Sequence, residues 1–112
     1  MLRDFTYVDD IVEGISHMLN HPPKLNEAHA PFKVYTTGSN HHVRLMKFIE
    51  ILEDAIGRKA EKEYLPMQMG DVYQTYADID DLEKDFGFHP STTLEEGLAA
   101  FAKWYKNYYH KE

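Results

Sequence analysis

Apolar residues recur every three or four positions in four stretches of the chain, which is the period of an amphipathic helix. The spacing predicts helices over residues 10–20, 43–56 and 78–86, and a last helix that begins at Leu94. In the last helix the apolar positions share one face, which we expect to be its inner face: Leu94, Leu98, Phe101, Tyr105 and Tyr108.

Polar residues and glycines mark the ends of these helices. Asp10 and Glu13, and later Thr93 and Glu96, have the capping-box spacing, in which two side chains bond the free N–H groups of a helix start. Three other residues mark boundaries: Asp78 as a cap, and Gly57 and Gly87 as stops.

Two β-prone segments, residues 3–8 and 33–38, are predicted strands. Because a helix joins them, we expect parallel pairing through a right-handed crossover. Residues 62–67 are weakly extended and residues 68–75 have the composition of a loop. The fold class is therefore α/β, with a β-α-β-α start followed by two C-terminal helices. A sheet of two strands is marginal on its own, so we expect one domain, residues 1–112, that is a fragment of a larger protein.

Composition and charge exclude several classes of protein. The net charge of −7 argues against binding to nucleic acid, which needs clustered positive charge. The chain has no cysteine, which excludes disulfides and thiolate metal sites. No stretch has the length of a membrane span, and there is no signal-peptide pattern, so we expect a cytoplasmic protein without membrane contacts.

Four blocks, in order along the chain, carry a resemblance to a known family. They are "RDFTYVDDIVEGI", "YTTGSNHHVRLMKFIEILEDAIG", "LPMQMGDVYQTYADIDDLEKDFGFHP" and "TTLEEGLAAFAKWY". They resemble the C-terminal part of extended short-chain dehydrogenase/reductase nucleotide-sugar epimerases, and among these the UDP-glucuronate 4-epimerases. The resemblance implies a UDP-sugar-binding part of an NAD-dependent isomerase that converts UDP-glucuronate to UDP-galacturonate.

The parts of such an enzyme that hold NAD and do the chemistry are absent from these 112 residues. The six glycines are never closer than ten residues apart, so no glycine-rich phosphate loop is present. No lysine has a tyrosine four positions before it, so the family's Tyr-x-x-x-Lys pair is absent as well. We therefore expect no catalytic residue, no bound NAD and no epimerase activity in this chain alone.

The resemblance assigns three substrate-binding residues. Arg3 matches the family arginine that contacts the UDP diphosphate, a task that suits the planar guanidinium. Asp71 matches the aspartate that bonds the ribose hydroxyls. Gln68 stands where UDP-galactose 4-epimerases have a second phosphate-contacting arginine, so the phosphate charge is less neutralised here. Without the resemblance, Arg3 would be a surface arginine, Asp71 a turn residue and Gln68 a loop residue.

Two metal sites are weaker hypotheses. Glu13, His17 and His21 share one helix face at a spacing that suits zinc or copper, and His41 or His42 are possible further ligands. A solvated helix surface explains the same pattern, and we predict no metal. The acidic residues Asp78, Asp80 and Asp81 lack the glycine and distant glutamate of a calcium loop, and they suit a helix start instead.

A second function hypothesis is an interaction module without catalysis. The surface that a missing dinucleotide-binding half leaves bare would then form a homo-oligomer. The aromatic residues of the last helix, among them Trp104 and Tyr109, fit either core packing or a stacking platform, and the helical spacing favours core packing.

Overall fold

The computed structural model describes all residues, 1–112, as two short strands and four helices. They are β1 (Leu2–Asp4), α1 (Val8–Leu19), β2 (His42–Arg44), α2 (Leu45–Ile56), α3 (Asp80–Phe86) and α4 (Leu94–Tyr108). This order confirms the predicted α/β class, with a β-α-β-α start and two further helices. None of the helices has the length and hydropathy needed to cross a membrane.

The helix boundaries that rest on local chemistry are confirmed. Gly57 and Gly87 adopt left-handed backbone angles, with φ of 81° and 62°, and end α2 and α3 as predicted. At the start of α4 the Thr93 hydroxyl accepts a bond from the Glu96 N–H at 3.2 Å. The Glu96 carboxylate accepts one from the Thr93 N–H at 3.0 Å, which completes the capping box.

The predicted caps of α1 and α3 are wrong. Helix α1 begins at Val8, two residues earlier than predicted, and its N-cap Tyr7 makes no side-chain bond. Asp10 therefore lies inside the first turn, where it cannot cap, and its carboxylate accepts bonds from the N–H and hydroxyl of Thr92. The N-cap of α3 is Ile79, although Asp78 accepts a bond from the Asp80 N–H at 3.1 Å.

The predicted sheet is also wrong in its strands and direction. Strand β1 pairs with β2 in antiparallel register, with Arg3 opposite Val43. A β-prone segment becomes a strand only beside a partner, and residues 33–38 have none in this chain. The parallel neighbour of β1 comes instead from the predicted loop over residues 68–75. The Leu2 N–H donates to the Tyr73 carbonyl, and the Thr75 N–H donates to the Leu2 carbonyl, each at 3.1 Å.

The core is small. Ile79, Leu82 and Phe88 form its centre, with partly buried side chains of other segments packed around them. A second contact joins α2 and α4, where Leu98 and Ala102 are buried. The predicted inner face of α4 is only partly correct, because the aromatic residues near its C-terminal end pack mainly against one another and stay exposed. These are Phe101, Trp104, Tyr105, Tyr108 and Tyr109.

Candidate functional site

Arg3, at the centre of β1, and Asp4, at its end, contact different parts of the chain. Successive strand residues point to opposite faces, so Arg3 and Asp4 lie on opposite sides of β1. Arg3 faces the turn over residues 68–71, and Asp4 faces residues 39–40 and Ala77. The pairing of Leu2 with residues 73–75 carries the 68–71 turn to the side of Arg3.

The 68–71 turn is closed by one backbone bond. The Asp71 N–H donates to the Gln68 carbonyl at 3.2 Å, and Gly70 at the third position has a φ of 89°. A left-handed residue at that position is typical of a type II turn, which explains the glycine. The turn fixes the spacing between Gln68 and Asp71.

Arg3 and Asp71 form an ion pair across 68 positions of sequence. Arg3 Nη2 donates to Asp71 Oδ1 at 3.0 Å, and Arg3 Nη1 donates to the Leu2 carbonyl at 3.0 Å. The Asp71 side chain is 39% exposed and that of Arg3 22%. The structure therefore brings Arg3 and Asp71 together, with Gln68 at the start of the turn that carries Asp71, and we call Arg3, Gln68 and Asp71 the Arg3–Asp71 site.

After the ion pair has formed, both side chains keep hydrogen-bonding groups that can bind a ligand. A guanidinium has five N–H donors, of which the bonds to Asp71, the Leu2 carbonyl and the Met1 sulfur use three. The bonds that Asp71 accepts, from Arg3 and from the Val72 N–H at 2.8 Å, both end on Oδ1. Asp71 Oδ2 is thus left to accept bonds from ligand hydroxyls. An exposed ion pair contributes at most about 1 kcal/mol, so a ligand can displace it at small cost.

The strongest electrostatic shift lies outside this site, at Glu53 near the end of α2. Hydrogen bonds from Lys62, the Ala60 N–H and Lys59 lower the pKa of Glu53 to about 2. A second group joins Asp85 to Lys33 and Tyr35: the bonds they donate lower the pKa of Asp85, and the same bond raises the pKa of Tyr35. Both groups tie loops to helices, and each lines an open depression of the surface, of about 380 Å³ beside Glu53 and about 620 Å³ beside Asp85. Sequence reasoning missed them because their members follow no local pattern.

The residues of the metal hypotheses do not converge. His17 Nε2 is 3.9 Å from Glu13 Oε1, but His21 turns its Nδ1 to the His17 carbonyl at 3.0 Å. No group of three or more His, Asp or Glu side chains in the chain is arranged to hold a metal ion. Asp78 bonds the start of α3, as described above.

The glycines of this chain do not form a phosphate cradle of the kind that binds NAD. Three glycines lie so close to other side chains that an added Cβ would clash with them, as Gly38 does with Ala77. These glycines allow close packing and do not bind a phosphate. The other three have positive φ and form two helix ends and the 68–71 turn. The chain therefore offers no glycine-rich cradle for the pyrophosphate of a dinucleotide.

Comparison with known proteins gives relatives for nearly the whole chain. Protein CapI of Staphylococcus aureus is 46% identical over 99% of the chain. A probable UDP-glucuronate 4-epimerase of Rhizobium meliloti is 44% identical over 99% of the chain. The chain spans only 36% of the length of each of these two relatives. No protein-family model matches the chain.

Solved structures of UDP-sugar 4-epimerases are similar to this chain in fold. UDP-glucose 4-epimerase of Bifidobacterium longum, in complex with NAD⁺ and UDP, aligns with a TM-score of 0.82 and 25% identity over 95% of this chain and 30% of its own. UDP-glucuronic acid 4-epimerase of Bacillus cereus, in complex with UDP-glucuronic acid and NAD, aligns with a TM-score of 0.80 and 29% identity over 96% of this chain and 33% of its own. Sequence and fold thus agree that the chain corresponds to the C-terminal part of the nucleotide-sugar epimerases of the extended short-chain dehydrogenase/reductase family.

Proposed function

We propose that this chain is the UDP-sugar-binding part of an NAD-dependent nucleotide-sugar 4-epimerase. The NAD-binding domain and the catalytic groups of such an enzyme lie outside these 112 residues, so the chain alone is inactive in epimerisation. The observation that carries the proposal is the ion pair between Arg3 and Asp71, which are 68 positions apart, with Gln68 at the start of the turn that carries Asp71.

The chemistry of the Arg3–Asp71 site suits a nucleoside diphosphate. The guanidinium of Arg3 pairs with two phosphate oxygens at once, which a lysine cannot do. Asp71 Oδ2 accepts bonds from the vicinal hydroxyls of a ribose. Gln68 has an amide that donates to a phosphate or sugar oxygen and brings no charge of its own.

UDP-glucuronate is the sugar nucleotide that we propose, with UDP-galacturonate as the product of the complete enzyme. Support comes from relatives that carry the name UDP-glucuronate 4-epimerase, in Rhizobium meliloti and in Arabidopsis thaliana. The absence of cysteine and of a membrane-crossing helix is compatible with the cytoplasmic location that we propose for it.

Isothermal titration calorimetry with UDP-glucuronic acid tests this function on the 112-residue chain. Arg3→Ala removes the diphosphate partner, and we expect its dissociation constant to rise about tenfold or more, the value of one charged hydrogen bond. Arg58→Ala is the matched control, because Arg58 is an exposed arginine whose side chain makes no hydrogen bond or ion pair with Arg3, Gln68 or Asp71. Equal binding by all three proteins, or no binding by the unaltered chain, contradicts the proposal.

A second candidate function is self-association as an interaction module. An exposed apolar stripe on α1 favours it: Val8, Val12, Ile15 and Leu19 follow one another at spacings of four, three and four. Such spacing is typical of a seam between two helices, so the occupant we propose is a second copy of α1. UDP-sugar binding and self-association are separable, because the stripe contains none of the residues of the Arg3–Asp71 site.

A further inference from the structure

Asp4, the neighbour of Arg3 in sequence, is the most heavily bonded carboxylate near the site. Its Oδ1 accepts bonds from the Ser39 N–H at 3.0 Å and the Ser39 hydroxyl at 2.5 Å. Its Oδ2 accepts bonds from the Asn40 N–H at 3.1 Å and the Ala77 N–H at 3.0 Å. Its own N–H contacts the Thr75 hydroxyl at 3.4 Å. One side chain therefore satisfies three backbone donors from two separate segments.

The segments that Asp4 joins pack closely at the same point. Gly38 lies so near Ala77 that a Cβ on Gly38 would stand 2.3 Å from the Ala77 Cβ. The loop over residues 38–40 and the segment over residues 75–77 thus meet beside Asp4. Without an acceptor between them, their N–H groups would be left partly unsatisfied, which is costly.

The segment over residues 75–77 continues directly from the one that carries Asp71. Thr75 is bonded to β1 twice, through its N–H to Leu2 and through its hydroxyl to Asp4. Ala77 is bonded to Asp4 two residues further on. These bonds set the register of residues 71–77 against β1, and the register determines whether Asp71 reaches Arg3.

We propose that Asp4 is a positioning residue for the Arg3–Asp71 site. It holds the segment after Asp71 and the loop over residues 38–40 on one face of β1, so that Arg3 on the opposite face meets Asp71. Asp4 itself does not touch the ligand. The part of the proposal that concerns ligand affinity rests on the proposed UDP-sugar function, whereas the part that concerns the ion pair does not.

The test compares Asp4→Asn with Asp10→Asn. Asp10 is the matched control, since its buried carboxylate also accepts backbone and hydroxyl bonds, from Thr92, but touches no residue of the site. The first readout needs no ligand. In each of three proteins (the unaltered chain, Asp4→Asn and Asp10→Asn), the NMR resonance of the Arg3 Nε–H is recorded before and after Asp71→Asn is added as a further substitution. In the unaltered chain and with Asp10→Asn, we expect Asp71→Asn to shift this resonance. With Asp4→Asn, we expect the shift to be lost.

The second readout is the affinity for UDP-glucuronic acid. We expect Asp4→Asn to raise the dissociation constant about tenfold, and Asp10→Asn to leave it within about twofold. A persistent Arg3 response with Asp4→Asn, or the same loss with Asp10→Asn, overturns the positioning role. If the unaltered chain does not bind the nucleotide, the proposed function fails, and the ligand-free readout still decides the role of Asp4.

A milder variant covers the case in which Asp4→Asn does not fold. Thr75→Val keeps the shape of the side chain and removes only the hydroxyl that the Asp4 N–H contacts. We expect the same changes as for Asp4→Asn, in the same direction and smaller. An unchanged Arg3 response in a folded Thr75→Val chain, with Asp4→Asn unfolded, contradicts the proposal.

Discussion

Two carboxylates are buried in this protein, and Glu53 is the one with the larger set of partners. It is 6% exposed and accepts bonds from Lys59 at 3.1 Å, Lys62 at 2.5 Å and the Ala60 N–H at 2.9 Å. These bonds fasten residues 59–62 to the last turn of α2, just after Gly57 reverses the chain. A buried acid with two cations and a backbone donor is stabilised as the carboxylate.

Replacing this acid has an effect on stability that depends on pH. Glu53→Gln keeps the shape and loses the charge, so we expect a lower free energy of unfolding at neutral pH. The pKa of Glu53 is lowered from 4.5 to about 2 in the folded chain, so its contribution is present above pH 4.5 and is lost as the pH falls towards 2. Urea denaturation of both proteins at several pH values measures the difference.

Asp54→Asn is the control for that experiment, because Asp54 is an exposed neighbour on the same helix. A difference between the unaltered chain and Glu53→Gln that stays constant down to pH 2, or is absent at pH 7, contradicts the role given to Glu53.

At the scale of the element, α4 depends on its first turn. Thr93 and Glu96 satisfy each other's backbone N–H groups, and Glu95 and Glu96 suit the positive end of the helix dipole. The C-terminal half of the helix gains little from burial, since its aromatic side chains are exposed. The cap therefore matters more for this helix than for one that is buried along its whole length.

Thr93→Ala should destabilise the chain by about 1 kcal/mol, the usual value of an N-cap bond. The free energy of unfolding from urea denaturation, followed by circular dichroism of the helices, measures it. Ser91→Ala serves as the control, since Ser91 is exposed two residues earlier. Equal stability of the Thr93→Ala and Ser91→Ala chains would show that the capping box does not stabilise α4.

The elements differ in how far the sequence could predict them, and the difference follows from the range of their interactions. Thr93, Gly57 and Gly87 act on backbone groups a few residues away, so their roles are visible in a short window. The strands depend on partners about 40 and 70 positions away, so β propensity over residues 33–38 predicted a strand that has no partner here. The start of α1 was misplaced for the same reason, because Asp10 bonds Thr92 rather than its own helix.

For the Arg3–Asp71 site, the resemblance proposed the residues, and the sequence did not predict how they are arranged. Arg3, Gln68 and Asp71 came from the resemblance to a family, since no local pattern marks them. Their contact depends on the pairing of Leu2 with residues 73–75, in a segment whose sequence predicts only a loop. Asp4 was not singled out, because three of its partners lie 35 to 73 positions away.

The whole molecule is more open than a compact domain of its length. Its radius of gyration is 17.8 Å, whereas about 13 Å is expected for a compact chain of this size. Only 10 of 112 residues are buried, which leaves large apolar side chains of α1 and α4 at the surface. A chain of this shape gains stability by covering that surface.

This openness predicts self-association through α1. Val12 is 55% exposed, so Val12→Asp should leave the monomer folded and place a charge inside the proposed helix seam. We expect sedimentation velocity to detect a dimer of the unaltered chain that grows with concentration and is lost with Val12→Asp. Ser16→Asp, an exposed change on the same helix, should keep the dimer. A monomer at every concentration, or equal loss with both variants, contradicts self-association through this face.

The central claim is that the chain still recognises the nucleotide of a UDP-sugar through Arg3, Gln68 and Asp71. The most direct measurement is a ¹H–¹⁵N correlation spectrum of the labelled chain, recorded without and with UDP-glucuronic acid. We predict dispersed peaks and saturable shifts confined to residues 2–4 and 68–75. Dispersed peaks that do not respond to the nucleotide, or shifts that lie elsewhere on the chain, would contradict the claim.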